Sequence, residues 1–342
     1  MEETNGLFTS KKVFSKFGLV YTVSYWGLAI ALTICALVAG AINGEDMSAQ
    51  WTIGLEIVFR FAIMYPIMLL LVKKEPTFEI EKKRLGVGKF IACIFITFAV
   101  MYLSTIVGMI LNNILGKITG QGAINQFANV VSNMPTVIRI IAVPILAPVF
   151  EELLFRKFLI DRVVGYGEVL AMLISGFMFG LYHANFLQFF YATFLGMFFA
   201  FIYIRTGKIG YTIALHLIVN GLSTCIGVLM ADGIDMVEVN SYLNSGDMEG
   251  YANYVNEHAS ALAGMTLVGM FVIVATIVGA ILMLVMRKKF VFEHRDGEIE
   301  KGKRFQTAIC NPGMLLYVIF FAVEIILALY STTIIDSVMN LF

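Results

Sequence analysis

Apolar residues run through this chain in long blocks, and polar residues gather in short clusters between them. The block at 19–42, LVYTVSYWGLAIALTICALVAGAI, contains no charge at all. About 20 consecutive apolar residues suffice to cross a bilayer as a helix. By that measure nine segments are candidate spans: 19–42, 52–72, 88–115, 136–164, 167–184, 187–205, 209–230, 263–286 and 312–335. The fourth, fifth and sixth are joined by very short connections. The pattern predicts an all-α fold, a polytopic membrane helix bundle of about 8–9 transmembrane helices. No internal repeat or low-complexity tract interrupts it.

The first block follows Lys11, Lys12 and Lys16. It is longer than a secretory core segment and no small-residue cleavage site clearly ends it, so it is expected to remain as the first span. No lipidation motif is visible.

Composition agrees with the pattern. The chain is 59% hydrophobic and 14% charged, with a mean hydropathy of +0.85, whereas soluble domains carry about 25% charged residues. The zero net charge argues against a nucleic-acid partner. Cys35, Cys93, Cys225 and Cys310 lie far apart, without metal-finger spacing, and are expected to act as small packing residues.

Lys and Arg set the expected orientation. With the N-terminus cytoplasmic, the inner segments are the N-terminal tail, 73–89, the inner end of the fourth span, 205–208 and 287–311. Only Arg60, Lys117 and Arg139 then lie outside them. The acidic loop 231–262 has no Lys or Arg. The C-terminus falls on the outer side. The expected organisation is three N-terminal spans over 1–134, a four-helix core over 135–230, an extracytoplasmic loop over 231–262, and two C-terminal spans over 263–342 enclosing a cytoplasmic loop at 287–311. The sequence of 287–311 reads as a solvated mixed-charge linker. Loop 231–262 reads as a solvated connector, with a small cap as the alternative.

Ionisable residues inside such spans are the candidates for function, because hydrocarbon is a poor place for them. Glu56 and Arg60 are four apart, on one helix face, in the order that favours pairing. Glu324 stands alone in the last span, and His258 and His294 fall in polar loops. More unusual is PVFEELLFR at 148–156, which places Glu151 and Glu152 side by side in an otherwise apolar stretch. His183 in GFMFGLYHANF and His216 in YTIALHLIVNG are likewise embedded in apolar helices.

Spacing links these residues. Glu152 and Arg156, Phe179 and His183, and His216 and Asn220 are each four apart, so three helices each present a pair on one face. Arg156 is placed to pair with Glu152. Glu151, turned by about 100° on the helix, is freer to act as a base. Counting about 1.5 Å per residue from the inner turns puts Glu151 and His183 at similar depths, with His216 several ångströms lower. Convergence requires tilt. If the groups meet, a carboxylate and an imidazole can hold a water and take its proton. A second His and an Asn amide can stabilise an oxyanion. No Ser, Thr or Cys is visibly paired with a base, which favours direct attack by water. A zinc ion held by Glu151, His183 and His216 is the alternative, although H-E-x-x-H is absent.

The ordered set Glu151-Glu152-x-x-x-Arg156, Phe179-x-x-x-His183 and His216-x-x-x-Asn220 resembles the CPBP family, also called ABI, of CAAX-processing and bacteriocin-processing intramembrane proteases. The resemblance covers roughly 135–230. It implies a membrane helix bundle that hydrolyses a peptide bond of a membrane-associated protein or peptide. It further implies that Glu151 activates water with His183, that Glu152 and Arg156 support the site, and that His216 and Asn220 stabilise the oxyanion. Either no cofactor or a divalent metal such as zinc is consistent with it. A multi-pass protein of a bacterial plasma membrane is expected. The competing functions are a non-catalytic bacteriocin self-immunity protein on the same fold and a proton-coupled transporter.

Overall fold

A computed structural model describes residues 2–43, 48–119, 140–233 and 236–339. Regular structure among them is helical throughout, with no strand. Helix α1 is Glu2–Asn43, and α2 (Ala49–Val58) continues through a wide turn at Phe59–Met64 into α3 (Tyr65–Val72). Helix α4 is Val87–Thr119. A broken helix follows, with regular pieces α5 (Ala147–Glu152) and α6 (Leu159–Val163) set between wide turns at Ala142–Leu146 and Leu153–Phe158. Then come α7 (Glu168–Tyr182), α8 (Phe186–Thr206), α9 (Ile209–Gly233), α10 (Met236–Ser245), α11 (Met248–Glu257), α12 (Ala259–Met286), α13 (Arg304–Ala308) and α14 (Pro312–Met339).

Seven of the described helices are long and apolar enough to cross a membrane. They coincide with seven of the nine segments expected from the sequence. The other two differ for physical reasons. The segment 136–164, whose first residues lie outside the described ones, is divided by its wide turns and carries Glu151, Glu152, Arg156, Lys157, Asp161 and Arg162. Helix α7 has 15 residues, about 22 Å of rise, against a hydrocarbon core of about 30 Å. From Glu151 on in the first, and through most of α7, the side chains are buried or half-buried among the other helices.

Close helix crossings rely on glycine. Gly18 of α1 lies against the backbone of Gly313 in α14, and the Gly313 N–H donates to Ser15 Oγ at 2.9 Å. Gly279 of α12 faces the Phe95 carbonyl of α4, and Gly176 of α7 meets Gly196 of α8. In hydrocarbon, where apolar side chains gain little by leaving lipid, such close approaches carry much of the helix association. Aromatic rings fill the centre. Tyr21 meets Phe155 edge-on at 5.4 Å, and Phe155 meets Phe179 and Tyr182 at 5.3 and 5.4 Å. Among these large, fully buried side chains sits one cation, Arg156.

Two polar segments are docked on the bundle, and the second, 287–311, departs from the expectation of a solvated linker. In 73–86, the Phe78 N–H donates to the Asp161 carbonyl at 2.6 Å and the Lys83 N–H to the Thr206 carbonyl at 2.9 Å. In 287–311, the buried Ile299 donates its N–H to the Tyr166 carbonyl at 3.1 Å. Glu168, itself buried, accepts from Arg205, from the Arg295 guanidinium at 2.7 Å and from the Glu293 N–H at 2.7 Å. The segment is therefore a strap docked on the bundle: a buried carboxylate at the start of α7 must be paired, and the strap supplies the partners. Loop 231–262 also has structure. Helices α10 and α11 form a hairpin in which Tyr242 and Tyr254 meet at 6.1 Å. Of the cysteines, Cys225 and Cys310 are exposed rather than packed. The expected Glu56–Arg60 pair is formed at 2.5 Å.

Candidate active site

The two adjacent glutamates lie on α5. Phe150, just before them, stacks on Tyr65 of α3 with ring centroids 5.4 Å apart, which anchors this turn. Glu152 is fully buried, and Glu151 keeps a small exposure. Arg156 is fully buried too, with Nε 3.2 Å from Glu152 Oε2. The pair is a charge contact rather than an aligned hydrogen bond, because Glu152 Oε2 and all three Arg156 nitrogens lack a hydrogen-bond partner among the described residues. The guanidinium is instead sandwiched by aromatics, 4.4 Å from the Phe179 centroid and 5.7 Å from that of Phe199. A cation over the negative face of a ring recovers part of its lost hydration.

His216 of α9 reaches both carboxylates. Its Nδ1 is 2.9 Å from Glu152 Oε1, and its Nε2 is 3.6 Å from Glu151 Oε2. A carboxylate held ionised by Arg156 can only accept, so Nδ1 carries the proton of that bond. Phe179 and Phe199 wall the imidazole at 5.8 and 5.7 Å. Phe179 thus touches His183, His216 and Arg156 together.

His183 ends α7. Its Nδ1 donates to the Phe179 carbonyl at 2.8 Å, and its ring stands edge-on to Phe179 at 4.8 Å. That bond leaves Nε2 as the free ring nitrogen. The next residue, Ala184, has φ of +49°, the left-handed conformation usually left to glycine. Asn185 then caps α8 by accepting from the Gln188 N–H at 3.0 Å. The short link His183-Ala184-Asn185 is what fixes the imidazole at the mouth of α7.

Asn220 of α9 donates its amide to the Val143 carbonyl at 3.1 Å. The reason lies in the wide turn at Ala142–Leu146. There Ala147 N–H returns to Ala142, and the next residue able to serve Val143 is Pro148, which has no N–H.

Among the seven residues singled out by sequence, Glu151, Glu152 and His216 form one contact chain, with Arg156 and Phe179 directly behind it. No hydrogen bond or ion pair joins Glu151 to His183; Phe179 links His183 to the rest. Phe199, which covers both Arg156 and His216, has no distinguishing signal in the phenylalanine-rich stretch around it. A zinc ion would need three donors about one point. Among the described residues no group of three His, Cys, Asp or Glu side chains can hold a metal ion, and Glu152 is already engaged by Arg156 and His216. Glu151, His183 and His216 are thus not gathered as a three-donor metal site in this arrangement.

No curated protein and no solved structure significantly matches the chain. Residues 133–222, the stretch holding all seven of these side chains, match the family described as type II CAAX prenyl endopeptidase Rce1-like. Over that stretch the chain is similar to the Rce1-like, CAAX-type endopeptidase family, in line with the resemblance carried by the motifs, and its seven long apolar helices make it a multi-pass membrane protein.

Proposed function

We propose that the chain is an intramembrane endopeptidase in which Glu151 is the general base. The observation that carries this reading is His216 set between the Glu151 and Glu152 carboxylates, with Arg156 neutralising the inner one. Glu151 accepts a proton from water as the water oxygen attacks the scissile carbonyl carbon. His183, with Nε2 free, holds that water. The tetrahedral oxyanion takes hydrogen bonds from His216 Nε2–H and from the second amide hydrogen of Asn220. The C–N bond then breaks, and the departing amine receives its proton from Glu151.

The substrate is a membrane-associated protein or peptide, which the hydrocarbon setting and the prenyl-peptidase likeness of 133–222 both support. Residues 135–230 are the catalytic core in this reading, and 1–134 and 263–342 are the helices that enclose it. In this reading the protein resides in a bacterial plasma membrane, and the Lys and Arg distribution favours a cytoplasmic N-terminus.

The test is cleavage of a membrane-peptide library by purified wild type and Glu151→Gln, each with and without a chelator. Wild type is expected to cleave in both conditions and Glu151→Gln in neither. Cleavage that survives Glu151→Gln would overturn the assignment of the base.

A further inference from the structure

An α-helix satisfies each carbonyl with the N–H four residues on. A wide turn uses the fifth residue, inserts one position, and frees a carbonyl from the ladder. The glutamate-bearing helix has a wide turn on either side of the six regular residues Ala147–Glu152. Each turn is held from outside. Val143, deprived of a partner by Pro148, accepts from Asn220 Nδ2 at 3.1 Å. In the second turn the Leu159 N–H returns to Leu154. The Leu154 carbonyl also accepts from the Tyr21 hydroxyl at 2.9 Å, and the Phe155 carbonyl accepts from Ser175 Oγ at 2.8 Å. Tyr21 and Ser175 are fully buried. The three donors come from three different helices, α1, α7 and α9.

We infer that Tyr21 and Ser175 are positioning residues that, together with the Asn220 bond to Val143, lock the register of the glutamate turn. The catalytic part of this inference rests on the endopeptidase reading above. Outside donors favour a wide turn by meeting its carbonyls, as the partner of Val143 and as a second one at Leu154, since an orphaned buried carbonyl is unfavourable. If either turn relaxed to an ordinary α-turn, one residue would pass through it and the adjoining side chains would rotate by about 100°. Glu151 and Glu152 would then turn away from His216. The hydroxyls of Tyr21 and Ser175 thus act on the reaction through the direction in which the two carboxylates point, without touching the reacting atoms.

Tyr21→Phe keeps the ring against Phe155 and removes only the hydroxyl. Ser175→Ala does the same on α7, and Ser175→Thr restores a hydroxyl. Two readouts decide the matter: hydrogen exchange across 143–160 in detergent-solubilised full-length protein, and kinetics on a peptide that wild type cleaves from the library. Tyr21→Phe and Ser175→Ala are expected to raise exchange in 143–160 by roughly tenfold while the other helices stay protected. They are expected to lower kcat by roughly ten- to a hundredfold with little change in KM. Ser175→Thr is expected to recover both. Unchanged exchange in 143–160, or an equal rise across every helix, overturns the lock. If wild type cleaves no peptide, the endopeptidase reading fails, and the exchange pattern still decides the lock on its own.

Discussion

Glu152 accepts a hydrogen bond from His216 Nδ1 at 2.9 Å while lying wholly out of solvent. Its neighbour Glu151 faces the other nitrogen of the same ring and keeps some exposure. One imidazole therefore separates a carboxylate that is part of the interior from one that keeps access to solvent.

Substitution should separate the two. Glu152→Gln leaves the Arg156 charge buried without a counterion and is expected to destabilise the protein by about 3–5 kcal/mol. Glu151→Gln is expected to leave the thermal midpoint close to wild type and to reduce cleavage by about 10²-fold or more. Melting curves and turnover on the same preparations check both. Equal destabilisation by the two variants would contradict the division.

The inner ion pair lends itself to a double-mutant cycle. Arg156→Met alone strands Glu152 and is expected to cost about 3–5 kcal/mol. The combination Glu152→Gln with Arg156→Met removes both charges and is expected to be more stable than either single variant, a coupling readable by thermal unfolding in detergent. A loss equal to the sum of the singles would mean that the two side chains do not act as a pair.

Ala184 offers a test of the turn that aims His183. Its left-handed backbone strains any side chain bearing a Cβ. In Ala184→Gly, relief of that strain is offset by the greater freedom of glycine in the unfolded chain, so stability is expected to move by less than about 1 kcal/mol. Ala184→Val adds a branch where the backbone tolerates it least and is expected to cost about 1–3 kcal/mol. It is also expected to lower turnover, because His183 precedes it directly. Calorimetry and cleavage of the two variants side by side give the answer.

Glu168 holds the strap that follows α12. Glu168→Ala removes the acceptor shared by Arg205, Arg295 and the Glu293 N–H. The expected result is fast proteolytic nicking within 287–300 while the membrane helices stay protected. Mass spectrometry after brief protease treatment locates the cut; an unchanged cleavage pattern would mean that other contacts dock the strap.

Much of this arrangement is legible in the chain because burial in hydrocarbon restricts what a residue can be. Glu152 and Arg156, four apart in an apolar stretch, had to pair, and they do. Phe179 and His183 share a face as their spacing requires. The depth mismatch of His216 was also legible, but its resolution was not. Its approach to α5 depends on wide turns that a 3.6-residue period does not report, and Pro144 and Pro148 are the only local signs of them. For the same reason the Asn220–Val143 bond is invisible in sequence: it answers a carbonyl orphaned by Pro148 on another helix. The strap at 287–311 looked solvated because its main partner, Glu168, sits at the start of an apolar helix where nothing marks it as an acceptor.

The crossing of α1 with α14 has a consequence for how the molecule comes into being. Gly313 bonds to Ser15 across a sequence separation of 298 residues. Tyr317 of α14 donates to the Met178 carbonyl of α7 at 2.6 Å, and Phe321 closes on Tyr182. During synthesis α1 and α7 enter the bilayer long before α14 is made, so the wall behind His183 stays open to lipid until that helix arrives. A ribosome-bound intermediate thereby holds Glu151, Glu152, His183 and His216 before α14 can close on α7.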